Sequence, residues 1–172
     1  MFSGRYEYAI DDKGRLSIPA KFRDILASCD DPGKRRIEDH YGSERARAPG
    51  KSGPPPDLKL ILTNLDRCIA AYPEREWVEL QGRIERSSVA TREARNFLRF
   101  FYSGASECPI DRLGRILIPQ SLRNYGAIKK NVVVVGMNKK IEIWAEEAWA
   151  GVVKQATSDM EKMTDIASEL GL

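Results

Sequence analysis

One segment of this chain occurs twice, 100 positions apart. Residues 10–23 run Ile-Asp-Asp-Lys-Gly-Arg-Leu-Ser-Ile-Pro-Ala-Lys-Phe-Arg, and residues 110–123 run Ile-Asp-Arg-Leu-Gly-Arg-Ile-Leu-Ile-Pro-Gln-Ser-Leu-Arg. Seven aligned pairs are identical: Ile10/Ile110, Asp11/Asp111, Gly14/Gly114, Arg15/Arg115, Ile18/Ile118, Pro19/Pro119 and Arg23/Arg123. Leu16/Ile116 and Phe22/Leu122 keep their apolar character. The correspondence resumes downstream, where Ile69–Trp77 aligns with Ile141–Trp149 at an offset of 72. A chain built this way folds as two equivalent units. The first unit is longer by 28 residues, the difference between the two offsets.

The surplus falls in residues 30–57. This segment holds Pro32, Pro49, Pro54, Pro55 and Pro56, four glycines, and six acidic against six basic residues. It has too little apolar surface to offset the entropy of ordering it, so we expect a flexible surface insertion. Its basic residues (Lys34, Arg35, Arg36, Arg45, Arg47 and Lys51) are balanced by acids, which favours a solvated loop over a nucleic-acid contact.

Both units share one pattern of elements. A short strand (about 5–10 and 106–110) leads into an Asp-x-x-Gly-Arg turn, and a second short strand follows. Pro19 or Pro119 then opens a helix, at 20–26 and 120–125, where the missing N–H costs nothing. A β-hairpin comes next, 58–63 with 68–72 and 131–137 with 141–144. Val132–Val135 is a strongly β-prone buried strand. Helices start at Glu74 and Glu146. Between the units, residues 90–102 are predicted helical, with Ala94, Phe97, Leu98 and Phe101 on one stripe and Gly104 at the end. A helix continues after Trp149 through Val152, Val153 and Ala156, and the last dozen residues are expected to be loosely ordered.

The turn is where chemistry can reside. An Asp at its start accepts backbone N–H bonds from residues further on. Gly14 and Gly114 supply a positive φ without a Cβ clash. Arg15 and Arg115 then emerge beside the glycine, with Lys13 and Arg112 adding charge. A guanidinium so placed can clamp phosphate or pair with guanine O6 and N7. Equally, Asp11 with Arg15 and Asp111 with Arg115 could serve as ion pairs that only stiffen the hairpins. The two roles are compatible, because an Asp can aim an Arg. Similarly, the aromatics Phe97, Phe100, Phe101 and Tyr102 suit a core or an interface, and Arg92, Arg95 and Arg99, at helical spacing, suit a solvated helix face more than a contact with DNA or with acids of a neighbouring subunit.

Charge is uneven. The net is +3, but residues 141–172 carry seven acids and two bases, a balance of −5, which leaves +8 on residues 1–140. A basic body permits polyanion binding. Cys29, Cys68 and Cys108 are odd in number and widely spaced, which fits neither a disulfide framework nor a zinc site and suits a reducing cytosol. We expect no secretory signal and no membrane span. The one histidine, His40, sits in the insertion, and there is no P-loop, metal cluster, cofactor motif or nucleophile–base pair. We therefore expect no enzyme, no cofactor and no small-molecule substrate.

Ile10-Asp11-x-x-Gly14-Arg15-Leu16-Ser17-Ile18-Pro19 and Ile110-Asp111-x-x-Gly114-Arg115-x-Leu117-Ile118-Pro119, with Phe2, Ser103–Glu107 and the Trp77 and Trp149 helices, resemble the MraZ family of bacterial transcriptional regulators, which carry two tandem AbrB-type (SpoVT-AbrB) modules. The resemblance covers nearly the whole chain except 30–57, an insertion that typical members lack. It implies an α+β, β-rich fold: a duplicated AbrB-like swapped-hairpin barrel with short helices and pseudo-two-fold symmetry within the chain. The implied division is a first module at 1–77, linker helices at 78–104, a second module at 105–150 and a C-terminal helix or tail at 151–172. It further implies a cytoplasmic, nucleoid-associated homo-oligomer, ring-like, that binds double-stranded DNA at promoter repeats and represses its own cell-division and cell-wall operon. The DNA-binding residues would be Asp11, Lys13, Gly14, Arg15, Asp111, Arg112, Gly114 and Arg115. The competing expectation is a protein-interaction or antitoxin-like scaffold without direct DNA readout.

Overall fold

The computed structural model describes residues 1–29, 58–87, 90–158, 160–169 and 171, so the insertion expected at 30–57 lies outside the described residues. The first repeat forms β1 (Phe2–Ala9), β2 (Arg15–Ser17), α1 (Ala20–Cys29), β3 (Lys59–Leu65), β4 (Cys68–Pro73) and α2 (Glu74–Arg86). Helix α3 (Arg92–Ser103) connects to the second repeat: β5 (Ser106–Pro109), β6 (Arg115–Leu117), α4 (Gln120–Tyr125), β7 (Asn131–Asn138), β8 (Lys140–Ala145) and α5 (Glu146–Ser158). Residues expected to be loose at the C-terminal end instead form α6 (Met160–Glu169). The fold is α+β and β-rich, with antiparallel pairing throughout.

The two repeats exchange strands. One six-stranded sheet has the order β1-β7-β8-β4-β3-β5, and β2 pairs with β6 in a separate ribbon. Each repeat's opening strand thus completes the hairpin of the other repeat. The pairings obey the two sequence offsets. Leu16 lies opposite Ile116, and Ala70 opposite Glu142, each residue facing its own counterpart. Tyr8 opposite Val132 is matched by Leu60 opposite Cys108. A pseudo-two-fold axis therefore passes through both the ribbon and the centre of the sheet.

Burial follows the axis. Leu16, Ile116, Ile18, Ile118, Phe22, Leu122 and Leu26 form one core with residues from both hairpins. Phe22 meets Phe2 and Tyr6 edge-on at 5.4 and 5.2 Å, tying α1 to β1. On the other side of the sheet, Trp77 stacks on Phe101 at 5.5 Å and anchors α2 and α3. Trp77 also meets Tyr72 at 5.7 Å, and their counterparts Trp149 and Trp144 form the matching contact in the second repeat at 6.0 Å. Val132, Val133 and Val134 are buried, as the run of valines predicts.

Helix α3 departs from its predicted stripe. Phe101 is buried and Ala94 and Leu98 are half-buried, but Phe97 and Phe100 stand exposed. Gly104 ends the helix with a right-handed φ of −85° rather than a left-handed one. Its lack of a side chain has a different cause, because a Cβ there would lie 1.6 Å from Asn64 Oδ1. Asn64 Nδ2 donates to Phe100 O at 3.1 Å, so the glycine lets β3 dock against the end of α3. Among the described residues no helix is long and apolar enough to cross a membrane.

Leu16 and Ile116 meet at the axis and are fully buried. Truncating either to Ala is expected to cost about 2–5 kcal/mol in urea unfolding. Because they touch, the double variant should depart from the sum by ~0.5–3 kcal/mol. Strict additivity would mean the two strands do not share one core.

Candidate nucleic-acid interface

Each turn is organised by one carboxylate. Asp11 Oδ1 accepts from Lys13 N at 3.0 Å and from Arg15 N at 2.9 Å, while Oδ2 accepts from Arg15 Nε at 2.6 Å. Asp111 repeats this: Oδ1 accepts from Leu113 N at 2.9 Å and Arg115 N at 3.0 Å, and Oδ2 accepts from Arg115 Nε and Nη2 at 2.9 and 2.7 Å. Backbone bonds close both loops, Gly14 N to Asp11 O and Gly114 N to Asp111 O, each at 2.8 Å. Gly14 and Gly114 adopt φ of +81° and +77°, the left-handed conformation that glycine takes without strain. The ion pairs and the Arg-aiming role are thus the same set of contacts.

The exchanged ribbon brings both turns to one surface. Leu16 and Ile116 face inward, so Arg15, Ser17, Arg115 and Leu117 share the outer face. Arg15 lies opposite Leu117 and Ser17 opposite Arg115. The two arginines are diagonal neighbours, roughly 7–8 Å apart at the backbone. Ile18 N donates to Gly114 O at 2.9 Å and Ile118 N to Gly14 O at 3.0 Å, so each repeat's strand holds the other's turn.

A second pair of arginines completes the arrangement. A Cβ on Gly14 would come within 2.5 Å of the Arg123 guanidinium, and a Cβ on Gly114 within 2.6 Å of that of Arg23. Each arginine therefore lies flat against the opposite repeat's turn, with its Nε buried and without a protein partner. Arg123 Nη2 also donates to Gln120 Oε1. Sequence reasoning did not assign a role to Arg23 and Arg123. Their identity at the 100-residue offset was the available signal. Two guanidiniums on the ribbon and two from α1 and α4 that lie over its turns create a local positive field suited to a polyanion.

The structure places the other expected residues as follows. Lys13 and Arg112 are exposed at the loop tips, Gly14 and Gly114 are covered, and the two Asp–Arg pairs are partly shielded. Backbone N–H donation from Arg15 holds the Asp11 carboxyl below its ordinary value, and the Arg115 side chain does the same for Asp111. Both carboxylates therefore stay charged at neutral pH and keep the arginines aimed. Elsewhere, burial pushes the Cys68 thiol up to about 12 and that of Cys108 to about 11, so neither supplies a thiolate at neutral pH. Among the described residues no group of three or more His, Cys, Asp or Glu side chains stands together to hold a metal ion.

Comparison with known proteins points the same way. The family model described as "MraZ protein, putative antitoxin-like" matches residues 1–29 and 101–169, more than half of the chain. A protein of Caldicellulosiruptor saccharolyticus named transcriptional regulator MraZ is 35% identical over 173 residues, spanning 100% of both chains. Proteins of the same name from Desulforamulus reducens and Moorella thermoacetica are 34% and 35% identical, over 96% of this chain and 96% and 95% of theirs.

Two outcomes follow from the turn geometry. The Asp11 and Asp111 carboxyl pKa values fall on folding from 3.8, so their stabilisation is present above that pH and is lost as the pH drops through the lowered values. Carbon-13 NMR of the carboxyls should show both titrating below 3.8. Midpoints at or above it would contradict the bonding described. Gly14→Ala should cost about 1–2 kcal/mol through the left-handed backbone, besides displacing Arg123. Gly151→Ala, in open space on α5, should instead stabilise by ~0.5–1 kcal/mol.

Proposed function

The chain belongs to the MraZ family, and we propose that it is a DNA-binding transcriptional regulator that docks duplex DNA with its two Asp-x-x-Gly-Arg turns. The observation that carries this reading is the meeting of both Asp-held arginines on the outer face of one two-stranded ribbon. B-DNA's major groove is about 12 Å wide and admits such a ribbon. Arg15 and Arg115 reach base edges or phosphates, Lys13 and Arg112 add phosphate contacts at the tips, and Asp11, Asp111, Gly14 and Gly114 fix the shape of the heads. The carboxylates pre-order the guanidiniums, so less side-chain entropy is lost on binding.

One ribbon makes few contacts. We propose that subunits assemble into a ring-like homo-oligomer, for which exposed Phe97 and Phe100 on α3 and Val78 on α2 offer apolar surface. Several ribbons then engage successive promoter repeats, which raises avidity by about 10²–10⁴ without new chemistry. Occupancy of such repeats upstream of its own cell-division and cell-wall operon gives repression, in the cytoplasm at the nucleoid. The second reading is an antitoxin-like scaffold. It is favoured by an open cleft between the β3–β4 turn and α5, lined by Arg67, Trp144, Ala148 and Val152.

Fluorescence anisotropy with DNA from upstream of the chain's own gene separates the two. Wild type should bind it in preference to scrambled DNA, with affinity falling steeply as salt rises. The folded Arg15→Ala/Arg115→Ala protein should lose at least tenfold, since each bidentate arginine contact is worth about 1–3 kcal/mol. Equal binding by both proteins, or by neither, would favour the scaffold.

A further inference from the structure

The outer face of the ribbon is not symmetric. Its four positions are Arg15 and Ser17 on β2, and Arg115 and Leu117 on β6. The two arginines are pseudo-two-fold counterparts, and so are Ser17 and Leu117, yet one of these is polar and the other apolar. Leu117 is 55% exposed in a setting that is otherwise cationic. It adds nothing to the core, which its neighbours Ile116 and Ile118 fill from the inner side. It stands directly opposite Arg15 and two positions along the same strand and face from Arg115, so it adjoins both arginines.

Resting on the DNA-docking reading above, we propose that Leu117 is a specificity-determining residue that contacts a thymine C5-methyl in the major groove. Ser17, at the equivalent place, leaves the other half of the site without that requirement. Several observations converge on this occupant. The flanking charges are positive and fixed, so the partner that covers the face is anionic. A nucleic acid is anionic at its backbone yet offers one apolar group at base level in the major groove, the thymine methyl. Leu117 adjoins both arginines on the face that the docking reading turns toward the groove. The consequence is that the ribbon reads DNA with a direction. The arginines give a pseudo-palindromic contact, and the leucine marks one side of it.

The test uses the full chain and a duplex selected from a random-sequence pool. Each thymine of the selected site is then replaced in turn by deoxyuracil, which removes only the methyl. One replacement should weaken wild-type binding about three- to fivefold, the size expected for burying one methyl, and the others should have little effect. Leu117→Ser should bind the thymine and uracil duplexes alike, whereas Leu113→Ser, at the exposed loop tip, should keep the wild-type sensitivity. The exchanged protein, Ser17→Leu/Leu117→Ser, should move the sensitivity to the opposite side of the site. Circular dichroism and light scattering confirm fold and subunit number. Wild-type indifference to every uracil, or retained sensitivity in Leu117→Ser, overturns the assignment, as does a changed subunit number in Leu117→Ser, which would place the leucine in a subunit contact. Failure of the selection to enrich any sequence would instead overturn the sequence-specific DNA reading itself.

Discussion

The structure depends on a reciprocal exchange of backbone hydrogen bonds. Ile18 donates to the carbonyl of Gly114 and Ile118 to that of Gly14, across a ribbon whose inner residues, Leu16 and Ile116, are sealed from solvent. Neither repeat could satisfy these groups alone, and a buried backbone donor without an acceptor is costly. The larger sheet obeys the same constraint. Strand β1 finds its acceptors and donors on β7, and β5 finds them on β3. Both Asp-x-x-Gly-Arg turns are attached to this exchange, because they leave directly from the ribbon's ends.

The same exchange makes the turns stiff. In a lone hairpin, an Asp-x-x-Gly-Arg loop would be held by its carboxylate and little else. Here the Asp fixes the loop from within, the opposite strand fixes the glycine carbonyl, and Arg23 or Arg123 covers the glycine from outside. Exposed ion pairs contribute little to stability on their own. These pairs matter for orientation, since they set where a guanidinium points before any partner arrives.

Much of this was legible in the sequence because its signals are local. The repeat announced two-fold structure, and Pro119 with the apolar spacing after it placed α4 at 120–125, where it is found. Glu74 and Glu146 marked helix starts, and the valine run marked a buried strand. Strand exchange was not legible from residues alone. Pairing within a repeat and pairing between repeats bury the same side chains, so periodicity cannot distinguish them, and only the family resemblance suggested swapping. The covering role of Arg23 and Arg123 was hidden for the same reason, since each acts 91 or 109 positions away from its own turn's glycine partner in the other repeat. Gly104 read as a helix end, which it is, but its need for space comes from Asn64, 40 positions earlier. The apolar stripe on α3 was recognisable, yet the pattern could not say that Phe97 would stay outside it.

Helix α3 and its flanking residues also act as a tether. Two identical chains that interleave in this way would come apart on dilution, and their partnership would depend on how much protein is present. Joining the halves in one polypeptide replaces that bimolecular step with an intramolecular one at an effective concentration in the millimolar range for a short linker. It also releases the halves from identity. A dimer of like chains must carry every substitution twice, once on each side of its axis, whereas here position 17 can be serine while position 117 is leucine, and position 13 lysine while position 113 is leucine. Duplication with a tether thus preserves the geometry of a symmetric pair while letting its two faces diverge in chemistry.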